Sequence, residues 1–408
     1  MTTPLADSAP NLPSRVKSPG RADPSPHPHP QPQDGAAGAA SRGIDDMPSK
    51  DFSFLQDPSA YHALPATTVP APFLNAPNLP SVSSPLDTLL LSGHYRLAAI
   101  AAARNIVTAA SPTDHETLFH LVHVRLACLC LIQEHALAAQ EAKVLGDLDS
   151  AFYRHPLTNV HLVPWHLRLL AVRLAALGYG EWRKGIMGYY ELARECRESI
   201  IKAAASDEET KTVWRSRLRE CGIRVANVLV EMGDLEGAGR HLGTLSSSSE
   251  EQTKDDARDV LLMETLVWLR VGDIQAARRC LSRASSSTST SSPSETSALI
   301  DGTLAALLHL ADSEYAAAVS SFETLHTTFP ADAMVTQNLA VCLLYTGRIA
   351  DAKILLAELA EQSPAFHSLV FNLSTVYELC TERNRENKLS LAEMIAGRKD
   401  GGGWVGAE

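Results

Sequence analysis

Few residues in this 408-residue chain have the types and spacing that chemistry needs. His115-Glu116 with His120 has the parts of a zinc-protease helix: two imidazoles for a metal and a carboxylate for a base. Those histidines are five apart, about 140° around a helix, whereas H-E-x-x-H needs four to put both on one face. GYGEWRKG (178–185) offers glycines and a lysine but not the G-x-x-x-x-G-K-[ST] spacing that cradles phosphates, and no strand pattern precedes it. Cys128 and Cys130 sit two apart on an apolar helical stretch, so their thiols diverge and read as core residues. His27 and His29 alternate with prolines in a low-complexity tract and make a poor metal cage. There is no G-x-S-x-G elbow and no D-x-[DN]-x-[DN]-G calcium loop. The expectation is no catalytic residue, no metal and no cofactor. One constellation suits binding instead. Trp214, Arg215, Arg217, Arg219 and Arg224 share one helical stretch, and Trp and Arg concentrate at interface hot spots. A solvated helix face accounts for them equally well.

Composition narrows the class of partner. A formal charge of −11 argues against a nucleic-acid binder, which presents a basic face. Seven cysteines, an odd number scattered in apolar surroundings, fit a reducing cytoplasm better than a disulfide framework. The first thirty residues are broken by prolines and carry no apolar signal core, and no run of about 18 uncharged apolar residues spans a membrane.

The chain changes texture near residue 85. Seventeen of the 23 prolines lie in residues 1–85, where PSPHPHPQPQ (24–33) and GAAGAASRG (35–43) cannot bury enough apolar surface to order themselves. That predicts a disordered Pro/Ser/Gly-rich tail over 1–85. Within it, DFSFLQDPSAYHAL (51–64) carries Phe52, Phe54, Leu55 and Tyr61, suited either to docking or to a flexible segment with sticky spots. From 86 to 399 apolar residues recur at helical spacing, and 400–408 reads as a flexible end. Helix–turn–helix units are expected over 89–107 with 116–145, from 163–178, over 214–245 and over 257–284. Ser/Thr tracts at 246–249 and 285–292 read as surface loops, and DEETK (207–211) as a solvated turn.

The elements repeat. YAAAVSSFETLHTTFP (315–330) places Ala318, Phe322, Leu325 and Pro330 at the spacing of the second helix of a tetratricopeptide repeat (TPR). Thirty-four residues on, the TPR period, stand Ala352, Leu356, Leu359 and Pro364. The first helices agree: Ala306 matches Ala340, Gly347 sits at the turn, and Tyr377 keeps phase one period further. Gly272-Asp273 with Ala277, Gly233-Asp234 with Ala238, and Gly93 with Ala98 are looser copies at about 40-residue spacing. A small residue lets two helices approach, a larger one four positions on fills the gap between pairs, and proline ends the second helix. No pair buries its apolar face alone, so pairs stack into an all-α superhelix with a concave face for another protein. The clearest repeats span 299–380, and the number of repeats in 86–215 stays open.

A resemblance adds to this. NLAVCLLYTGRIADAKILLAELAEQSP followed by LVFNLSTVYELCTERNRENKLSLAEMIAG resembles the subunit 12 family of the trafficking protein particle (TRAPP) complex. VLGDLD (144–149), VPWHLRLL (163–170), WRSRLRE (214–220) and ANVLVEMGD fit in order, while the Pro-rich segment has no counterpart. The resemblance implies a non-catalytic adaptor in a vesicle-tethering complex that exchanges nucleotide on a Rab-type GTPase, in endoplasmic reticulum to Golgi transport and autophagy. It implies subunit 11 and its neighbours as partners, and a cytoplasmic location peripheral to Golgi membranes. The alternative is a generic TPR module such as a chaperone cofactor, whose groove clamps a C-terminal carboxylate with cations. Here Thr303 and Leu307, then Ser368 and Asn372, stand where cationic or amide partners are needed, and Asn338 alone fits.

Overall fold

The computed structural model describes residues 50–67, 69–204, 207–247, 254–287, 294–380 and 382–398. The expected disorder of 1–49 and flexibility of 400–408 concern residues outside these. A four-residue helix, α1 (Ala71–Leu74), comes first. Helical hairpins follow: α2 (Leu86–Leu91) with α3 (Tyr95–Thr108), α4 (His115–Leu131) with α5 (His135–Ala142), α6 (Trp165–Leu177) with α7 (Trp182–Lys202), and α8 (Glu208–Met232) with α9 (Leu235–Ser247). Then come α10 (Lys254–Val271) with α11 (Ile274–Ser287), α12 (Glu295–Ala311) with α13 (Tyr315–Thr328), α14 (Ala333–Tyr345) with α15 (Ile349–Gln362), and α16 (His367–Cys380) with α17 (Asn384–Ala396). From α2 onward each helix packs on the next in sequence, so this is an all-α TPR solenoid. Among the described residues extended pairing amounts to one isolated bridge, Arg154 with His161.

One turn chemistry makes the hairpins. In each of the first seven hairpins the first helix ends on a residue in the left-handed region: Gly93, Gln133, Gly180, Gly233, Gly272, Ser313 and Gly347. Five residues later stands a buried small residue: Ala98, Ala138, Gly185, Ala238, Ala277, Ala318 and Ala352. At Gly347 the amide bonds Leu344 O at 3.1 Å and the Arg348 amide bonds Leu343 O at 2.9 Å. This double bond satisfies helix-end carbonyls and reverses the chain. The same pair of bonds recurs at residues 93, 133, 233, 272 and 313. Two copies, at Gln133 and at Gly180 with Gly185, have no obvious sequence mark. Gln133 and Ser313 are not glycine, and the spacing contracts to 34 only between Ser313 and Gly347.

Several sequence expectations change in detail. The 116–145 stretch is a hairpin in itself, turning at Gln133. Helix α7 fills a stretch with no sequence expectation, burying Tyr189, Leu192, Ala193 and Cys196 on one face. DEETK is not a turn but a helix start: the Asp207 carboxylate accepts from the Thr210 amide at 3.0 Å and caps α8. Helices α9 and α11 run into the Ser tracts, where Ser246 and Ser286 hydroxyls donate to Gly243 O and Arg283 O.

Residues 50–85, grouped by composition with the tail, lie against the helices. Phe52 and Leu55 are fully buried with Ile106, Phe119 and Tyr153, and Gln56 donates to Ile106 O and Ala110 O at 2.9 and 2.7 Å. His62 is held at both backbone atoms by a buried ion pair. Its amide donates to Glu141 Oε1 at 2.8 Å, and Arg125 Nη2 donates to its carbonyl at 2.8 Å. Arg125 Nη2 also bonds Glu141 Oε1 at 2.6 Å, and Arg125 Nη1 bonds Ala99 O at 3.1 Å. The buried Phe52, Leu55 and Phe73 outweigh the local prolines, because each contributes about 1.5–3 kcal/mol.

Candidate interaction surface

The packing residues read from the repeat are placed as follows. Ala306, Ala318, Phe322, Ala340, Ala352, Leu356 and Leu359 are buried in one C-terminal core, with Leu325 and Tyr377 half-buried against it. Leu325 lies over Gly302, where an added Cβ would come within 2.7 Å of its Cδ2, so glycine there permits α12 and α13 to close. Pro330 and Pro364 are exposed just beyond α13 and α15. Gly347 has φ 80°, as its turn demands.

The residues that resembled chemistry have packing roles instead. The His115 ring lies 6.0 Å from Phe52 and 6.4 Å from Phe119, in the aromatic cluster that seats the N-terminal segment. Gly178 and Gly185 are crossing points: a Cβ on them would meet Ala139 at 2.1 Å and Ala176 at 2.6 Å. Cys128 is buried, which pushes its thiol up to about 12 and keeps it un-ionised. Among the described residues no group of three or more His, Cys, Asp or Glu is placed to hold a metal ion.

What remains is a surface. Side chains tie most of the successive first helices. The His123 and His166 rings meet at 4.2 Å between α4 and α6. Trp165 Nε1 donates to Glu220 at 3.0 Å between α6 and α8. Arg219 pairs with Asp256, and with Asp259 at 3.7 Å, between α8 and α10. Arg258 bonds Asp301 at 2.6 Å between α10 and α12, and Ser368 bonds Gln337 at 3.3 Å between α14 and α16. Ties of this kind put the first helices on the tight, inner side of the curve, where solenoids present their concave surface.

The basic helix is part of this face. Arg217 lies over both Trp214 and Trp165, 4.6 and 5.2 Å from the ring centroids. Arg215 pairs with Glu208 at 2.9 Å, and Arg224 with Glu220 at 3.0 Å. The structure therefore brings Trp214, Arg215, Arg217 and Arg219 together, and each makes an intramolecular contact. Sequence reading missed Trp165, whose ring completes the sandwich.

Several side chains on the first helices stay wholly or partly exposed. On α4 and α8 they include His120, His123, Glu220, Arg224 and Asn227. On the later helices, beside the polar Asp259, Thr303 and Asn338, they include Met263 and Leu266, Ile300, Met334 and Phe371. The last five are exposed apolar side chains, with Leu266 at 50%, Met334 at 55% and Phe371 at 60%. Ile300 and Met334 are one 34-residue period apart, and one period beyond Met334 stands Ser368. The later first helices thus present apolar side chains among polar ones. A carboxylate tail needs cations, and Thr303, Leu307, Ser368 and Asn372 stand where such a clamp would hold its partners, whereas exposed apolar side chains suit a protein partner.

Known proteins point the same way. A tetratricopeptide-repeat family model matches residues 309–374. Human trafficking protein particle complex subunit 12 is 26% identical over 312 residues, covering 70% of this chain and 42% of the human protein. The mouse protein of the same name is 26% identical over 314 residues, covering 71% of this chain and 38% of its own length. The chain therefore spans about two fifths of the length of these relatives. A solved tetratricopeptide repeat protein from Parabacteroides merdae superposes at a TM-score of 0.40 with 13% identity, over 68% of this chain and 90% of that one, too distant to carry an argument. The resemblance to the subunit 12 family read from the C-terminal text is borne out by the two mammalian relatives.

Proposed function

We propose that this chain is a non-catalytic scaffold subunit of a trafficking-particle complex, holding neighbouring subunits on the inner face of its first helices. The observation that carries the reading is the similarity to subunit 12 over some 310 residues, set on a solenoid whose later first helices bear exposed apolar side chains. Subunit 11 and its neighbours are the proposed partners, and through them a Rab-type GTPase in endoplasmic reticulum to Golgi transport and autophagy. Membrane association in this reading is peripheral and runs through the complex. No described helix is long and apolar enough to cross a bilayer.

The polar side chains of the face favour specificity and the apolar ones affinity, since charged rims steer and buried aromatic anchors dominate binding energy. Charge reversal at Arg215 and Arg217 would also break the Trp165–Arg217–Trp214 sandwich, so it mixes folding with binding. Met334 and Phe371 are cleaner probes, because both are more than half exposed. In coexpression with subunit 11 and its neighbours, Met334→Glu with Phe371→Glu is expected to lower recovery of the partners at least tenfold while circular dichroism stays unchanged. Undiminished recovery would remove the inner face from the proposal.

A further inference from the structure

Residues 64–85 do more than lie on the surface. They begin on α3, where Arg96 bonds the Leu64 carbonyl, and they return to α3, where Arg104 Nη1 bonds Ser83 Oγ at 3.2 Å. Between these anchors they visit the opposite end of the array. Helix α1 lies against α17, and Phe73 is buried in the same apolar cluster as Leu391, Ile395 and Ala396. Val69 and Ala76 pack at its margin. Asn78 Nδ2 donates to the Gly397 carbonyl at 2.8 Å. The receiving end is itself fixed, because Arg398 Nη1 bonds Ala360 O at 2.9 Å and Ser363 O at 2.7 Å at the C-terminus of α15.

Chain length makes this a closure. Five residues separate Asn78 on α17 from Ser83 on α3, and five residues span at most about 17 Å. The second helices of the first and last hairpins are therefore bridged by one short strap. The contact rests on a single fully apolar anchor, Phe73, and one side-chain amide, flanked by Pro70, Pro72 and Pro77. Prolines restrict such a segment and lower the entropy lost on docking.

We infer that the α17 face formed by Leu391, Ile395, Ala396 and the Gly397 carbonyl is a docking site for a proline-flanked aromatic peptide with an amide side chain five residues on. Residues 69–78 fill it in cis, and their departure opens the closed array. A tether this short supplies an effective concentration on the order of millimolar. A weak site therefore stays filled in the free protein, and a trans peptide of the same chemistry must compete with the strap.

The test uses the full chain and a fluorescein-labelled synthetic peptide of residues 66–82, read by fluorescence anisotropy. The Phe73→Ser, Asn78→Ala double variant has an emptied site and is expected to bind the peptide at least tenfold tighter than wild type. Its radius of gyration by small-angle scattering is expected to rise while helical content is unchanged. A peptide carrying Phe73→Ala is expected not to bind. Equal peptide affinity for wild type and variant, absence of binding to the variant, or undiminished binding of the Phe73→Ala peptide would each overturn the inference. Should the double variant lose helix, Asn78→Ala alone removes one exposed hydrogen bond and decides the matter: several-fold tighter binding than wild type supports the latch, and equal binding overturns it.

Discussion

At the scale of single residues the architecture rests on backbone conformation more than on any reactive side chain. The seven left-handed turns need φ near +60 to +90°, which costs an L-residue roughly 1–2 kcal/mol and glycine little. Five turns use glycine, while Gln133 at φ 65° and Ser313 at φ 64° do not. Ser313→Gly is therefore expected to raise the urea midpoint by the equivalent of about 0.5–1 kcal/mol. Gly347→Ala is expected to lower it by about 1 kcal/mol. A Cβ there would meet nothing within 4 Å, so the cost is backbone alone. Opposite signs at equivalent positions are the check. A second residue-scale expectation concerns pH. Burial, and after it the neighbouring His166 and His120, brings the His123 imidazole down to about 4. In the unfolded chain it titrates near 6.5, so between those values the unfolded state binds more protons. Stability contributed by this group is thus complete above about pH 6.5 and lost as pH falls towards 4, by on the order of 1–3 kcal/mol. Urea melts at pH 7.5 and 5 should show the loss in wild type and less of it in His123→Gln.

At the scale of elements, burial decides what the repeat pattern announces. Phe322 is fully buried between hairpins α12–α13 and α14–α15, in the core that continues to α17. Phe322→Ala is expected to cost about 3–5 kcal/mol through lost contacts and the cavity left. Because neighbours in a solenoid support each other, amide protection should fall in α12–α17 before it falls in α3–α9. Uniform protection would show that the array melts as one unit. The same element scale shows what was legible. Residues 315–364 keep the 34-residue period, so Ala318, Phe322, Ala352 and Leu356 announce both the helices and their buried faces. Gln133 hides its hairpin because a non-glycine residue occupies the turn. Helix α7 was obscured by its glycines, which serve helix crossing at Ala176 and Val172 rather than breaking the helix. Phe52 and Leu55 announced docking as one alternative for 51–64, but the strap was obscured by its prolines, and its anchor Phe73 meets partners on α17 that are distant in sequence. Trp165 joins the arginine helix through space alone.

At the scale of the whole molecule, the described residues form a helical scaffold whose later first helices expose apolar side chains, with a strap joining its first and last hairpins. Its similarity to subunit 12 of the human and mouse trafficking particle gives that face a proposed set of partners. The most direct measurement is affinity purification of the tagged full chain from gently lysed cells, followed by mass spectrometry. The account predicts recovery of several other subunits of the trafficking particle with wild type, and their loss with Met334→Glu and Phe371→Glu. A clean purification that yields the chain without any of those subunits would contradict it.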